Sequence, residues 1–148
     1  MSIVTETQQL RDLFAEVEVI SEVAETLPRN DDRRQRLLSL AEKRLAGALP
    51  VRPAVAGELL ELTEKTVRAW ASEGVLTIAQ VDPTLRIDVR RLHQVRVLVE
   101  DLRQAGRSRG LLDEVHRRLR DQALLDRLDL AESLEQMNRG EGRVVRRG

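Results

Sequence analysis

The chain of 148 residues contains no cysteine, no tyrosine, one tryptophan, one phenylalanine and two histidines. Without thiols it can form neither a disulfide nor a thiolate metal site. His93 and His116 alone are too few for most zinc sites, so no metal and no cofactor is expected. Aromatic residues at 1% leave the core to Leu, Val, Ile and Ala, a composition that favours helices. No apolar run of about 18 residues occurs, so no membrane-spanning helix is implied. The N-terminus, Met1-Ser2-Ile3-Val4-Thr5-Glu6, lacks the basic start and apolar stretch of a signal peptide. A soluble, cytoplasmic protein without membrane contact is expected. No Ser/His/Asp arrangement, carboxylate pair or Gly-rich phosphate loop can be assembled, which argues against an enzyme. Gly140-Glu141-Gly142 is no exception, since no strand and following helix frame it.

Net charge is also lacking: 25 basic residues balance 25 acidic ones. That argues against a non-specific coat for nucleic acid. The charges are unevenly placed. Residues 1–27 carry Glu6, Asp12, Glu16, Glu18, Glu22 and Glu25 against Arg11, and the last ten carry Arg139, Arg143, Arg146 and Arg147 against Glu141. Between 51 and 106 eight basic side chains face eight acidic ones.

Apolar spacing predicts a mainly α protein in three parts. Leu10, Leu13, Val17, Ile20, Ala24 and Leu27 step by three and four, a helix with a narrow apolar seam, capped by Thr5 or Thr7 and ended before Pro28. Asp31 or Asp32 caps a second helix running to Ala46, with Leu37, Leu38, Ala41 and Leu45 inward. Together they make an N-terminal helical hairpin over 1–47. Leu10, Leu13, Val17 and Ile20 are its dimerisation seam, with the C-terminal helix as the other route to a homodimer.

The Pro-rich stretch 48–53 reads as a boundary, and 48–106 as the second part. Pro53 suits the first position of a short helix to Leu60. Thr63 caps a helix over Glu64–Glu73 in which Val67, Trp70 and Ala71 share one face, making Trp70 a core residue. Val75–Val81 and Leu85–Ile87 read as a small β-hairpin, and Asp88 as the cap of a helix to Gln104, where His93 is a surface or rim residue. The third part, 107–148, is a C-terminal helix from Leu111 to Asn138 with a kink at 126–129, followed by an extended tail.

The residues Thr66-Val67-Arg68, Trp70, Gly74-Val75-Leu76 and then Arg86-Ile87-Asp88-Val89 with Leu92 resemble the MerR and excisionase group of winged helix-turn-helix domains. The resemblance covers about 55 residues. Three positions depart from the family pattern: Glu61 stands where Gly is common, Gly57 where Ala is common, and Ala69 replaces an aromatic. The resemblance implies DNA binding with Lys65, Thr66 and Arg68 on the recognition helix, Arg86 at the wing, Arg90 and Arg91 on phosphates, and Arg52 as a further contact. Residues 130–145 resemble the C-terminal end of many bacterial antitoxins. That implies a protein toxin as partner, gripped by Leu130, Leu134, Met137, Val144 and Val145. The function these resemblances imply is an autorepressing antitoxin that binds its own promoter DNA. The alternatives are a regulator of the MerR or excisionase kind without a toxin, or a protein–protein adaptor on a helix-turn-helix scaffold.

Overall fold

Ser2 opens the first helix, α1 (Ile3–Glu25), accepting from the Thr5 N–H at 3.1 Å. The cap therefore precedes Thr5 and Thr7, and Thr7 is buried in the helix instead. Asp31 caps α2 (Asp32–Ala46), and its carboxylate also holds Arg33 at 2.7 Å. That contact keeps the Asp31 carboxyl at about 2, below its ordinary value. Pro53 begins α3 (Pro53–Leu60), and Thr63 caps α4 (Glu64–Ser72). Two short antiparallel strands follow, β1 (Ile78–Gln80) and β2 (Arg86–Ile87), then α5 (Val89–Gln104) capped by Asp88. The last helix is α6 (Leu111–Arg147). The computed structural model describes residues 2–147, and side chains for 2–132, 134, 135 and 137.

The chain divides into two compact units, Met1–Arg109 and Gly110–Gly148, rather than three. The division falls inside the glycine-flanked basic segment 106–110. The stretch at 48–53 does not separate anything. Val51 and Ile87 exchange backbone hydrogen bonds of 2.9 and 2.7 Å, which adds Val51 to the small sheet as a third rung. The hairpin of α1 and α2 also packs on the rest of its unit, α1 on α3 and α2 on α5.

This packing changes the meaning of the α1 seam. Leu10 and Val17 are buried within the unit, at 6% and 2% exposure, and Leu13 and Ile20 are half-buried. An intramolecular core satisfies the periodicity that was expected to mark a dimer seam. Phe14, on the same face, is fully buried together with Leu60, Leu76, Ile87, Leu92 and Leu102.

Of the surface or rim positions expected for it, His93 takes the rim: it is half-buried. Its side chain is 15% exposed and its ring stacks, tilted, 4.8 Å from that of Phe14, over which the Arg96 guanidinium also lies at 5.6 Å. Burial, reinforced by the nearby Arg96 charge, holds the imidazole below its ordinary value. Glu18 approaches Nε2 only to 3.7 Å, and that nitrogen has no hydrogen-bond partner among the described residues. As pH falls below about 6.5 the unfolded chain takes up a proton at this position that the folded chain resists, so stability declines. His93→Leu is expected to flatten this decline, as denaturant melts between neutral and mildly acidic pH will report.

In the second unit α6 runs unbroken through 126–129, where a kink was expected. No proline interrupts the segment, and the contacts Gln122–Asp126 (3.0 Å) and Arg127 to the Ala123 carbonyl (3.3 Å) bridge the turns there. The extended tail expected after 138 is also replaced by helix, since α6 runs to Arg147. Gly140 and Gly142 each disfavour a helix by only about 1 kcal/mol, too little to dictate an end. Among the described residues no helix is long and apolar enough to cross a membrane.

Candidate nucleic-acid interface

The α3–α4 corner is built around a tight backbone crossing. A Cβ on Gly57 would lie 2.7 Å from the Leu62 carbonyl oxygen, closer than side chains normally approach. Glycine there lets the turn leaving α3 fold directly over the helix. Glu61 then takes a left-handed backbone (φ 54°), a conformation that costs a non-glycine residue about 1–2 kcal/mol.

Arg103 of α5 offsets that cost. Its Nη1 donates to the Leu60 carbonyl at 2.6 Å and its Nη2 to the Glu61 carbonyl at 3.1 Å, with the Glu61 carboxylate 3.4 Å away. A cation thus satisfies two carbonyls at the exposed end of α3. Nothing local in the sequence signals this contact, because 43 residues separate Arg103 from Leu60. Arg103→Ala is expected to lower stability by about 1–3 kcal/mol in urea titrations. Arg103→Lys recovers part of the loss, since one ammonium lacks the fork that spans both carbonyls.

Thr63 fixes the start of α4: its hydroxyl accepts from the Thr66 N–H at 3.1 Å and lies 2.8 Å from the Thr66 hydroxyl. Thr66 is therefore half-buried within the cap rather than extended into solvent. Val67, Trp70 and Ala71 are buried, as their shared face predicts. Lys65, Arg68, Ala69 and Ser72 are exposed, alongside Glu64 and Glu73. Arg68 meets Glu64 at 3.2 Å in an open i,i+4 pair. Such a pair contributes only about 0.3–0.5 kcal/mol, so Arg68 is readily released to a stronger anion.

After α4 the backbone turns at Gly74 (φ 82°). The amides of Val75 and Leu76 donate to the Trp70 carbonyl, and both side chains are buried. These residues finish the helix, which is why the first strand starts at Ile78 and not at Val75. The hairpin's turn, Val81–Thr84, is exposed and carries no basic residue.

The other expected contact residues are dispersed. Arg86 is half-buried on β2, and Arg52 meets Glu6 of α1 at 2.8 Å; both line a cleft beside α1. Arg90 meets Glu42 of α2 at 2.8 Å, an exposed pair worth under about 1 kcal/mol. Arg91 is half-buried in the first turn of α5, with its N–H donating to Asp88 at 2.9 Å. The structure thus places Lys65 and Arg68 on one exposed face, with Thr66 at its capped end, and brings Arg52 and Arg86 together along the cleft beside α1.

On α6, Leu124, Leu125, Leu128, Leu130, Leu134 and Met137 are all exposed, between 47% and 59%. Val144 and Val145 lie outside the residues whose side chains are described. No group of three or more metal-ligating side chains occurs among the described residues. No family model, no curated protein and no solved structure matches this chain.

Proposed function

We propose that this chain is a DNA-binding transcriptional regulator in which α4 enters the major groove. The observation that carries the reading is the α3–turn–α4 corner with Lys65 and Arg68 exposed on the second helix, followed directly by a two-stranded hairpin. A helix of this size fits the groove of B-form DNA, and its early residues reach base edges. Arg86, Arg90, Arg91 and Arg52 are the supporting phosphate contacts of the proposal. Arg52 and Arg90 would exchange their carboxylates for phosphates. Acidic neighbours make generic attraction weak, so affinity rests on fit to one sequence. Fluorescence anisotropy with the duplex upstream of the chain's own reading frame is expected to show binding that a scrambled duplex of equal length does not match at low salt. Equal affinity for the two removes the proposal.

The exposed apolar side chains of α6 support the second half of the proposal. Each such leucine is about half exposed, so covering it contributes about 1 kcal/mol. Leu130, Leu134 and Met137 are proposed to bind a protein partner, with Val144 and Val145 extending the contact. The partner of this reading is the toxin of a two-gene operon, which makes the chain its antitoxin, acting as a homodimer on DNA. Co-expression with the product of the adjacent reading frame is expected to yield a complex that deletion of residues 130–148 abolishes. A complex that survives the deletion favours a regulator that binds DNA without a toxin.

A further inference from the structure

We propose that the cleft between α1, residues 48–52 and the wing binds a small apolar molecule carrying one carboxylate, anchored by Arg86. The cleft has a volume of about 640 Å³, within the range of roughly 300–1,000 Å³ typical of small-molecule sites. Leu10, Leu13 and Val51 form its apolar floor, and Leu49 and Pro50 add an apolar rim. Its charged lining consists of Arg52, Glu6 and Arg86. Glu6 and Arg52 neutralise one another at 2.8 Å, and Glu6 is only 17% exposed. Arg86 has no ion-pair partner among the described residues. One uncompensated guanidinium over an apolar floor suits a monoanion with an apolar body.

The carboxylate is favoured over a phosphate on two grounds. A guanidinium fork matches two carboxylate oxygens bidentately, and a strongly hydrated dianion would lose more water over an apolar floor than one cation returns. Arg86 sits on β2, so occupancy bears directly on the wing. If the wing contacts DNA as proposed above, one guanidinium cannot hold both a ligand carboxylate and a phosphate, and the ligand weakens DNA binding. The site itself does not depend on that reading.

The test is a two-dimensional amide NMR titration of the full chain with hexanoate and, in parallel, with neutral 1-hexanol. Hexanoate at millimolar concentration is expected to shift the amides of Leu13, Val51 and Arg86 saturably, and hexanol to bind more weakly. Arg86→Gln is expected to weaken hexanoate by about tenfold or more, the loss of a charge-assisted contact, and to leave hexanol unchanged. Gln9→Glu, at an exposed lining position, adds a repelling charge without touching the core and is expected to weaken hexanoate in the same direction. The proposal is overturned if hexanoate leaves those amides unmoved, or if it binds both variants as tightly as the parent chain. No DNA enters the experiment, so its failure leaves the DNA-binding proposal standing.

Discussion

Replacing Lys65 and Arg68 together by alanine is expected to lower affinity for the specific duplex by about 30- to 1,000-fold, or 2–4 kcal/mol, the sum of a base-edge contact and a second polar contact. The fold should not change. Both side chains are exposed, and the single ion pair lost, Arg68 to Glu64, is an open one at 3.2 Å. Substitutions of this kind shift stability by about 0.5 kcal/mol or less, so thermal melts of parent and variant should nearly coincide. The slope of affinity against salt should fall by about one for each phosphate contact removed. Glu64 gives the converse. Its carboxylate sits on the same exposed face, and Glu64→Gln is expected to strengthen binding to any duplex by removing a like charge from the phosphates. Unchanged affinity in the double variant would show that α4 does not face DNA, and would favour an adaptor that uses the same corner for protein contacts.

Gly57→Ala is expected to lower stability through a direct clash with the backbone, the closest contact that an added Cβ meets at any described glycine. The added Cβ would meet the Leu62 carbonyl oxygen at 2.7 Å, with the Glu64 nitrogen and the Val67 Cγ2 both at 3.7 Å behind it. The nearest obstacle is backbone and cannot rotate away, so the turn between α3 and α4 must open. Overpacking of this kind costs about 1–3 kcal/mol. That corresponds to a fall in Tm on the order of 10 °C for a unit of this size. DNA binding should weaken with it, because the crossing sets the angle at which α4 is presented. Glu61→Gly makes a control four residues away. Relief of the left-handed backbone, about 1–2 kcal/mol, is opposed by the extra freedom of an unfolded glycine, so the net change stays within about 1 kcal/mol. Calorimetric melts of the two variants separate a steric constraint at 57 from a conformational preference at 61. A Gly57→Ala protein that melts with the parent contradicts the crossing.

The elements themselves were legible because local chemistry marks their ends. Asp31, Thr63 and Asp88 each cap the helix that follows, and Pro53 begins another, as their residue types predict. The buried face of α4 was equally plain from Val67, Trp70 and Ala71. What periodicity leaves open is the identity of the surface that covers an apolar stripe. Leu10 and Val17 suited a partner chain, yet α2 and α3 of the same chain pack on their helix. Contacts between distant residues were likewise hidden. Arg52 meets Glu6 across 46 positions, and Arg103 reaches Leu60 across 43. Each looks like an ordinary surface charge when read in line. The Pro-rich stretch at 48–53 misleads for a related reason: the Val51 pairing with Ile87 depends on a strand that lies far along the chain. The departures at Gly57 and Glu61 are explained by the corner they form, where one admits no side chain and the other is held by Arg103.

The most direct measurement of whether α4 is a recognition helix is a hydroxyl-radical footprint on the duplex upstream of the chain's own reading frame. A symmetric dimer predicts two protected half-sites centred about 34 Å, one helical turn, apart. Protection should be lost in the Lys65→Ala, Arg68→Ala double variant at protein concentrations that saturate the parent. A duplex left uniformly cut by the parent protein at low salt, or protected equally by both proteins, would contradict the account.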